Sequence, residues 1–178
     1  MIVRCQHHSK ELGQCPLGQG HGPHADGFQA IRPDWSEYHM AAAWLASTRG
    51  NCDRKQVGAV IVRDNRHLAT GYNGAPSGSP TCEQEGHQLV TFEDGSTSCV
   101  RTVHAEVNAI AACAKFGIQT RGSTMYCTAG CCLGCLNAVI AAGINKVVFA
   151  TPVQKHWGKG VDLADLALKA GVAWVSLA

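Results

Sequence analysis

The strongest constraint on this chain is a pair of short clusters, His104-Ala105-Glu106 and Cys132-Leu133-Gly134-Cys135, each of which opens an apolar run of helical period. Val107, Ile110, Ala111 and Ala114 follow the first, and Leu136, Val139 and Ile140 follow the second before Gly143 closes it. Both clusters are therefore predicted at the first turn of a helix, where side chains reach past the helix end. Cys132 and Cys135 stand three apart, which sets their sulfurs on one helical face. A fold that uses these residues together must bring two helix N-termini to one point. The partial positive charge of those ends favours thiolates there.

Metal-assisted hydrolysis asks for this set of groups. Three protein ligands leave a zinc ion one open position, where a water ionises near pH ~7 instead of ~15.7, and a neighbouring carboxylate moves the protons. His104, Cys132 and Cys135 are the candidate ligands of a catalytic zinc, and Glu106 is the candidate proton shuttle. Taken singly, His104 reads as a satisfied core histidine and Glu106 as a solvated helix residue. The cysteine pair opening a second helix gives them a joint role. Cys113 and Cys127 lie within apolar runs and read as small core residues.

His-Ala-Glu followed by Cys-x-x-Cys resembles the signature of the zinc-dependent nucleobase deaminases. Three longer blocks, Cys52 to Val62, Thr70 to Gly78 and Cys99 to Glu106, are similar to the deoxycytidylate (dCMP) deaminase family, and the likeness runs from about Arg32 to about Ala150. The resemblance implies an α/β fold of the cytidine deaminase type, a mixed five-stranded sheet sandwiched by helices. It implies an enzyme that hydrolyses dCMP to dUMP, with Asn73, Gly74 and Ala105 at the nucleotide and Asn73 on the sugar. It also implies a homo-oligomer, with dCTP and dTTP as effectors. One position departs from the family pattern. Proline usually precedes Cys-x-x-Cys, and here the residue is Cys131. Either Cys131 is an inert small residue, or it is an alternate ligand or a shaper of the pocket toward modified cytosine.

Around this centre the chain divides into a Cys/His-rich arm over residues 1–33 and a deaminase domain over 34–178, with an insertion at 81–101. In the arm, Cys5, Cys15, His21 and His24 either close a small third zinc site or are coincidental in a flexible tail. In the insertion, Cys82, His87 and Cys99 join Cys52 as four ligands for a closed structural zinc; otherwise they are free cysteines and a surface histidine. The segment has too few apolar residues to order itself, and some relatives carry a second zinc here, which favours the metal.

Asp34, three residues before Glu37, predicts a capped helix to about Thr48, whose Met40, Ala43, Trp44 and Leu45 are expected on a sheet. Val57 to Val62 and Leu68 to Tyr72 read as an antiparallel hairpin, and the first run is apolar enough for a central strand. Asn73 to Pro80 is turn-rich and reads as a plain connecting loop, unless the resemblance places it at a nucleotide. After the first catalytic helix, strands at Ser123 to Thr128, Lys146 to Ala150 and Val172 to Ser176 alternate with helices. That alternation predicts a parallel portion of sheet. Thr151 to Gly160 matches nothing in the family pattern.

A formal net charge of +2 without runs of like charge leaves no electrostatic footprint for a long nucleic acid, so a free nucleotide is the expected substrate. No signal sequence and no membrane-length apolar run occur, and ten cysteines alongside histidines then read as metal ligands in a reducing, cytoplasmic setting. The alternatives are a deaminase of modified dCMP, of dCTP or of a nucleic-acid base such as transfer-RNA adenosine, and, outside enzymes, a zinc-stapled binding module.

Overall fold

The computed structural model describes residues 32–93, 95–152 and 160–177. Cys5, Cys15, His21 and His24 lie outside the described residues, as does most of the unmatched stretch after Thr151. The elements run α1 (Trp35–Ser47), β1 (Gly58–Arg63), β2 (Arg66–Tyr72), α2 (Cys82–Glu85), β3 (Leu89–Thr91), β4 (Thr97–Cys99), α3 (Ala105–Lys115), β5 (Thr124–Ala129), α4 (Leu133–Ala141), β6 (Lys146–Thr151), α5 (Leu163–Lys169) and β7 (Ala173–Ser176).

β1 is buried from Gly58 to Val62 because helices cover both faces of the sheet. Ala59 and Ile61 point into one core with residues of α3, α4 and α5, while Val60 and Val62 point into a second core with Met40 and Ala43 of α1. The strand period of two thus divides its side chains between two cores. Strand order is β2-β1-β5-β6-β7, antiparallel on either side of β1 and parallel from β5 to β7. This is the mixed, helix-sandwiched five-stranded sheet expected from the pattern. The β1–β2 hairpin turns at Asp64 and Asn65, both with positive φ, the backbone that a two-residue turn of this hand requires.

Two glycines let the helices approach. A Cβ on Gly58 would run into the Ala43 carbonyl of α1, and one on Gly71 would run into the Ala105 carbonyl and the Ala109 nitrogen of α3. β2 therefore seats the first turn of α3 directly on the sheet, and Asn108 Nδ2 ties that turn down by donating to the Tyr72 carbonyl at 2.8 Å.

One expectation fails. Trp44 and Leu45 do not pack on the sheet but are 41 % and 72 % exposed. The buried stripe of α1 is His39, Met40, Ala43 and Ser47, and the two positions after Ala43 rotate away by about 100° each. The insertion forms the short α2 and the hairpin β3–β4, paired Leu89 with Cys99 and Thr91 with Thr97. Its Leu89, Val90, Phe92 and Val100 are exposed, so apolar burial does not hold it.

Candidate active site

His104 is the N-cap of α3 and Cys132 the N-cap of α4. Their extended backbone turns the side chains back past the helix starts. His104 Nδ1 lies 3.2 Å from Cys135 Sγ and 3.5 Å from Cys132 Sγ. Bond lengths of about 2.3 Å to sulfur and 2.0 Å to nitrogen put tetrahedral S and N ligands about 3.6 Å apart, so the three donors fit one zinc ion. Cys135 N–H donates to Cys132 Sγ at 3.4 Å, the helix N-terminus meeting a thiolate.

The electrostatics agree with the spacing. Cys132 is lowered to about 4, first by the hydrogen bond from the Cys135 thiol and then by His104 and the Cys135 N–H, against burial. The Cys135 thiol is raised, because it donates to Cys132 and is buried. His104 is raised, chiefly by its hydrogen bond with Cys132, with burial and, to a lesser extent, the nearby Lys55 ammonium acting against it. Such a set releases protons when it takes a cation. Glu106, one residue into α3, is 3 % exposed, and burial raises its proton affinity.

Cys131 is wholly buried with Cys127 and the Glu106 carboxylate beside it, and its single S–H can donate to only one of them at a time. The Cys127 bond and then burial hold it well above the usual thiol range, so it stays an S–H donor. It is therefore a contact of the carboxylate and stands apart from the three grouped ligands.

Cys52, Cys82, His87 and Cys99 form a second group, with donor atoms within 4.8 Å of one another. Cys82 Sγ is 3.6 Å from Cys99 Sγ, and Cys52 Sγ is 3.8 Å from His87 Nδ1. Asp53 Oδ1 accepts from His87 Nε2 at 2.9 Å, the carboxylate partner that fixes a ligating imidazole's tautomer. Cys82 is pushed up to about 12, first by burial and then by its bonds to Cys99 and Cys52. Burial raises Cys99 too, but hydrogen bonds from the Arg101 backbone and His87 outweigh it and bring that thiol to about 7. Four ligands close this site, which suits a structural ion.

One pocket runs between the two groups, lined among others by His104, Ala105, Glu106, Cys132, Asn73, Lys55, Arg54 and Thr97. Asn73 accepts from Val57 N–H at 2.8 Å and donates to the Lys55 carbonyl at 2.7 Å, so it braces the segment carrying Lys55 while lining the pocket. Gly74 pairs both its N–H and its C=O with Val103, at 3.1 and 2.9 Å, and so holds the approach to His104. Arg54, Lys55 and Thr97 were not singled out in the sequence; two adjacent basic residues beginning two positions after Cys52 were the available signal.

Residues 33–151 match the family described as the cytidine and deoxycytidylate deaminase zinc-binding region. The chain belongs to this family. Among its relatives, ComE operon protein 2 of Bacillus subtilis is 42 % identical over 125 residues, covering 70 % of this chain and 64 % of that protein. The deoxycytidylate deaminase of Mycobacterium phage D29 is 41 % identical, covering 66 % of this chain and 95 % of its own. A solved deaminase, the dCMP deaminase of cyanophage S-TIM5 in complex with dCMP and dUMP, superposes with a TM-score of 0.66 at 32 % identity, over 83 % of this chain and 99 % of that one. The chain thus spans just under two thirds of the Bacillus protein and nearly all of the two phage enzymes.

Proposed function

We propose that this chain catalyses the hydrolytic deamination of dCMP to dUMP, supplying dUMP for thymidylate synthesis. The observation that carries this is a buried carboxylate, Glu106, beside a three-ligand metal set that opens on a pocket with two cations, Arg54 and Lys55. A zinc ion held by His104, Cys132 and Cys135 would supply a nucleophilic water at neutral pH. Glu106, its proton affinity raised by burial, takes a proton from the attacking water and delivers it to ring N3 as the water oxygen bonds C4; it then carries the second proton to the amino group, the C4–N bond breaks and ammonia leaves. Ala105, which is buried, and Asn73 wall the base and sugar, with Gly74 holding the loop behind them. Arg54 and Lys55 are the groups for the 5′-phosphate.

The second group, with its Asp53 backing, takes a structural zinc in this reading, which makes two ions for the described part of the chain. The buried, unpaired cysteines favour a reducing cytoplasmic setting. No helix of the described residues is long and apolar enough to cross a membrane. Exposed Trp35, Tyr38 and Trp44 on α1 offer area for a second copy in a homo-oligomer, and dCTP and dTTP are tested as effectors in the same assay.

Ammonia release by the zinc-loaded chain from dCMP, 5-substituted dCMP, deoxycytidine, dCTP and cytosine-bearing DNA tests the proposal. The highest kcat/KM is expected for dCMP. No turnover of dCMP, or equal efficiency on deoxycytidine, would overturn it.

A further inference from the structure

Arg54 and Thr97 lie far apart in sequence, yet Arg54 Nη2 donates to Thr97 Oγ1 at 2.8 Å and to the Thr97 carbonyl at 3.1 Å. Both residues line the pocket that holds Glu106 and Cys132. Arg54 follows Cys52 by two residues, and Thr97 precedes Cys99 by two. The contact is thus one step away from the place where Cys52 and Cys99 converge in the second cysteine group. Among the described residues no other hydrogen bond uses this guanidinium, which leaves its remaining N–H donors for a ligand.

We propose that Thr97 is a positioning residue for nucleotide recognition: the insertion hairpin holds the Arg54 guanidinium on the pocket rim, preset for the 5′-phosphate. The proposal rests on the monophosphate reading given above. An exposed arginine holds considerable rotamer freedom, which a ligand must otherwise overcome when it immobilises the side chain. Two bonds from one nitrogen to a strand residue remove much of that freedom before the ligand arrives. The insertion then has a second task besides enclosing a metal, since β4 forms a wall of the substrate site. Its removal would cost discrimination between a nucleotide and a nucleoside before it cost chemistry.

The test is binding of dUMP and of deoxyuridine to the zinc-loaded full chain, by calorimetry and competition, in Thr97→Val, Thr97→Ser and Arg54→Ala. Thr97 is exposed at a strand position, so valine fits the backbone, and zinc content checks that the hairpin stays closed. Thr97→Val is expected to weaken dUMP about fivefold to tenfold and deoxyuridine less than about twofold, with Thr97→Ser restoring dUMP affinity. Unchanged dUMP affinity in Thr97→Val overturns the inference, as does an equal loss for both ligands, which would mark a merely structural role. If Arg54→Ala weakens dUMP while Thr97→Val does not, the phosphate role of Arg54 stands and the positioning role of Thr97 falls. If Arg54→Ala leaves dUMP binding intact, both fall.

Discussion

Glu106 is a carboxylate in a place where a carboxylate is costly, buried against the Cys131 thiol and the sulfurs of the metal set. Burial raises its proton affinity toward what a shuttle needs, with the Cys131 thiol beside it. Glu106→Gln keeps the shape and loses the proton. It is expected to keep zinc content and dUMP affinity while kcat falls about 10²- to 10⁴-fold, read by ammonia release beside metal analysis. A variant with the parent rate would remove Glu106 from the mechanism. At this scale, the grouping of the metal-type side chains was legible in the sequence. Metals take few residue types at fixed spacings, and His104, Cys132, Cys135 and the Cys52 group all converge. The partners of those residues were not legible. Asp53 on His87, Thr97 on Arg54 and Cys131 on Glu106 depend on how distant segments close on one another, which no local pattern records.

At the scale of elements, strand and helix order could be read because the period switches between two and 3.6 with glycine or turn residues between. The failure at Trp44 and Leu45 came from treating consecutive apolar residues as one face. The helix period excludes that, and their exposed area goes to the surface of α1. The insertion shows the opposite case, in which side-chain chemistry orders what apolar burial does not. Cys52→Ser removes one of four ligands and is expected to lower zinc per chain from about two to about one, with the thermal midpoint falling on the order of 10 °C. Unchanged metal content would exclude the second ion. Gly71 makes a sharper demand, since the first turn of α3, which carries Glu106, rests on its bare Cα. Gly71→Ala must push that turn outward. It is expected to destabilise the fold by about 1–3 kcal/mol in denaturant unfolding and to lower kcat while zinc content stays that of the parent. A variant as stable and as active as the parent would show that α3 does not depend on the close approach.

For the molecule as a whole, acid sensitivity is expected on the α1 side of the sheet as well as at the metal-type groups. The α1 side contains a histidine pair. His39 is fully buried, and its Nδ1 lies 2.9 Å from Nε2 of His67 on β2. The groups facing the pair are Trp35, Tyr38, Tyr126 and Asn65, none of them a carboxylate. Among the described residues His39 Nε2 has no hydrogen-bond partner, and in the Nδ1–Nε2 contact with His67 either ring donates according to its tautomer. Protonating His39 places charge in a poorly hydrated aromatic cluster, whereas the partner ring, His67, is exposed. Burial lowers both histidines from 6.5, and their mutual repulsion lowers His39 further, with Asn65 opposing. Folded pKa values below the unfolded value mean that the unfolded chain binds more protons. The stability tied to this pair is thus fully present above about pH 6.5 and is lost as pH falls below it. Zinc ligands also take up protons in acid, so the comparison must be a difference at saturating zinc. The drop in thermal midpoint between pH 7.5 and 5.5 should be smaller in His39→Phe, whose ring suits the aromatic surroundings, than in the parent. Equal slopes would assign the acid sensitivity to the metal sites and leave the α1 face without a part in it.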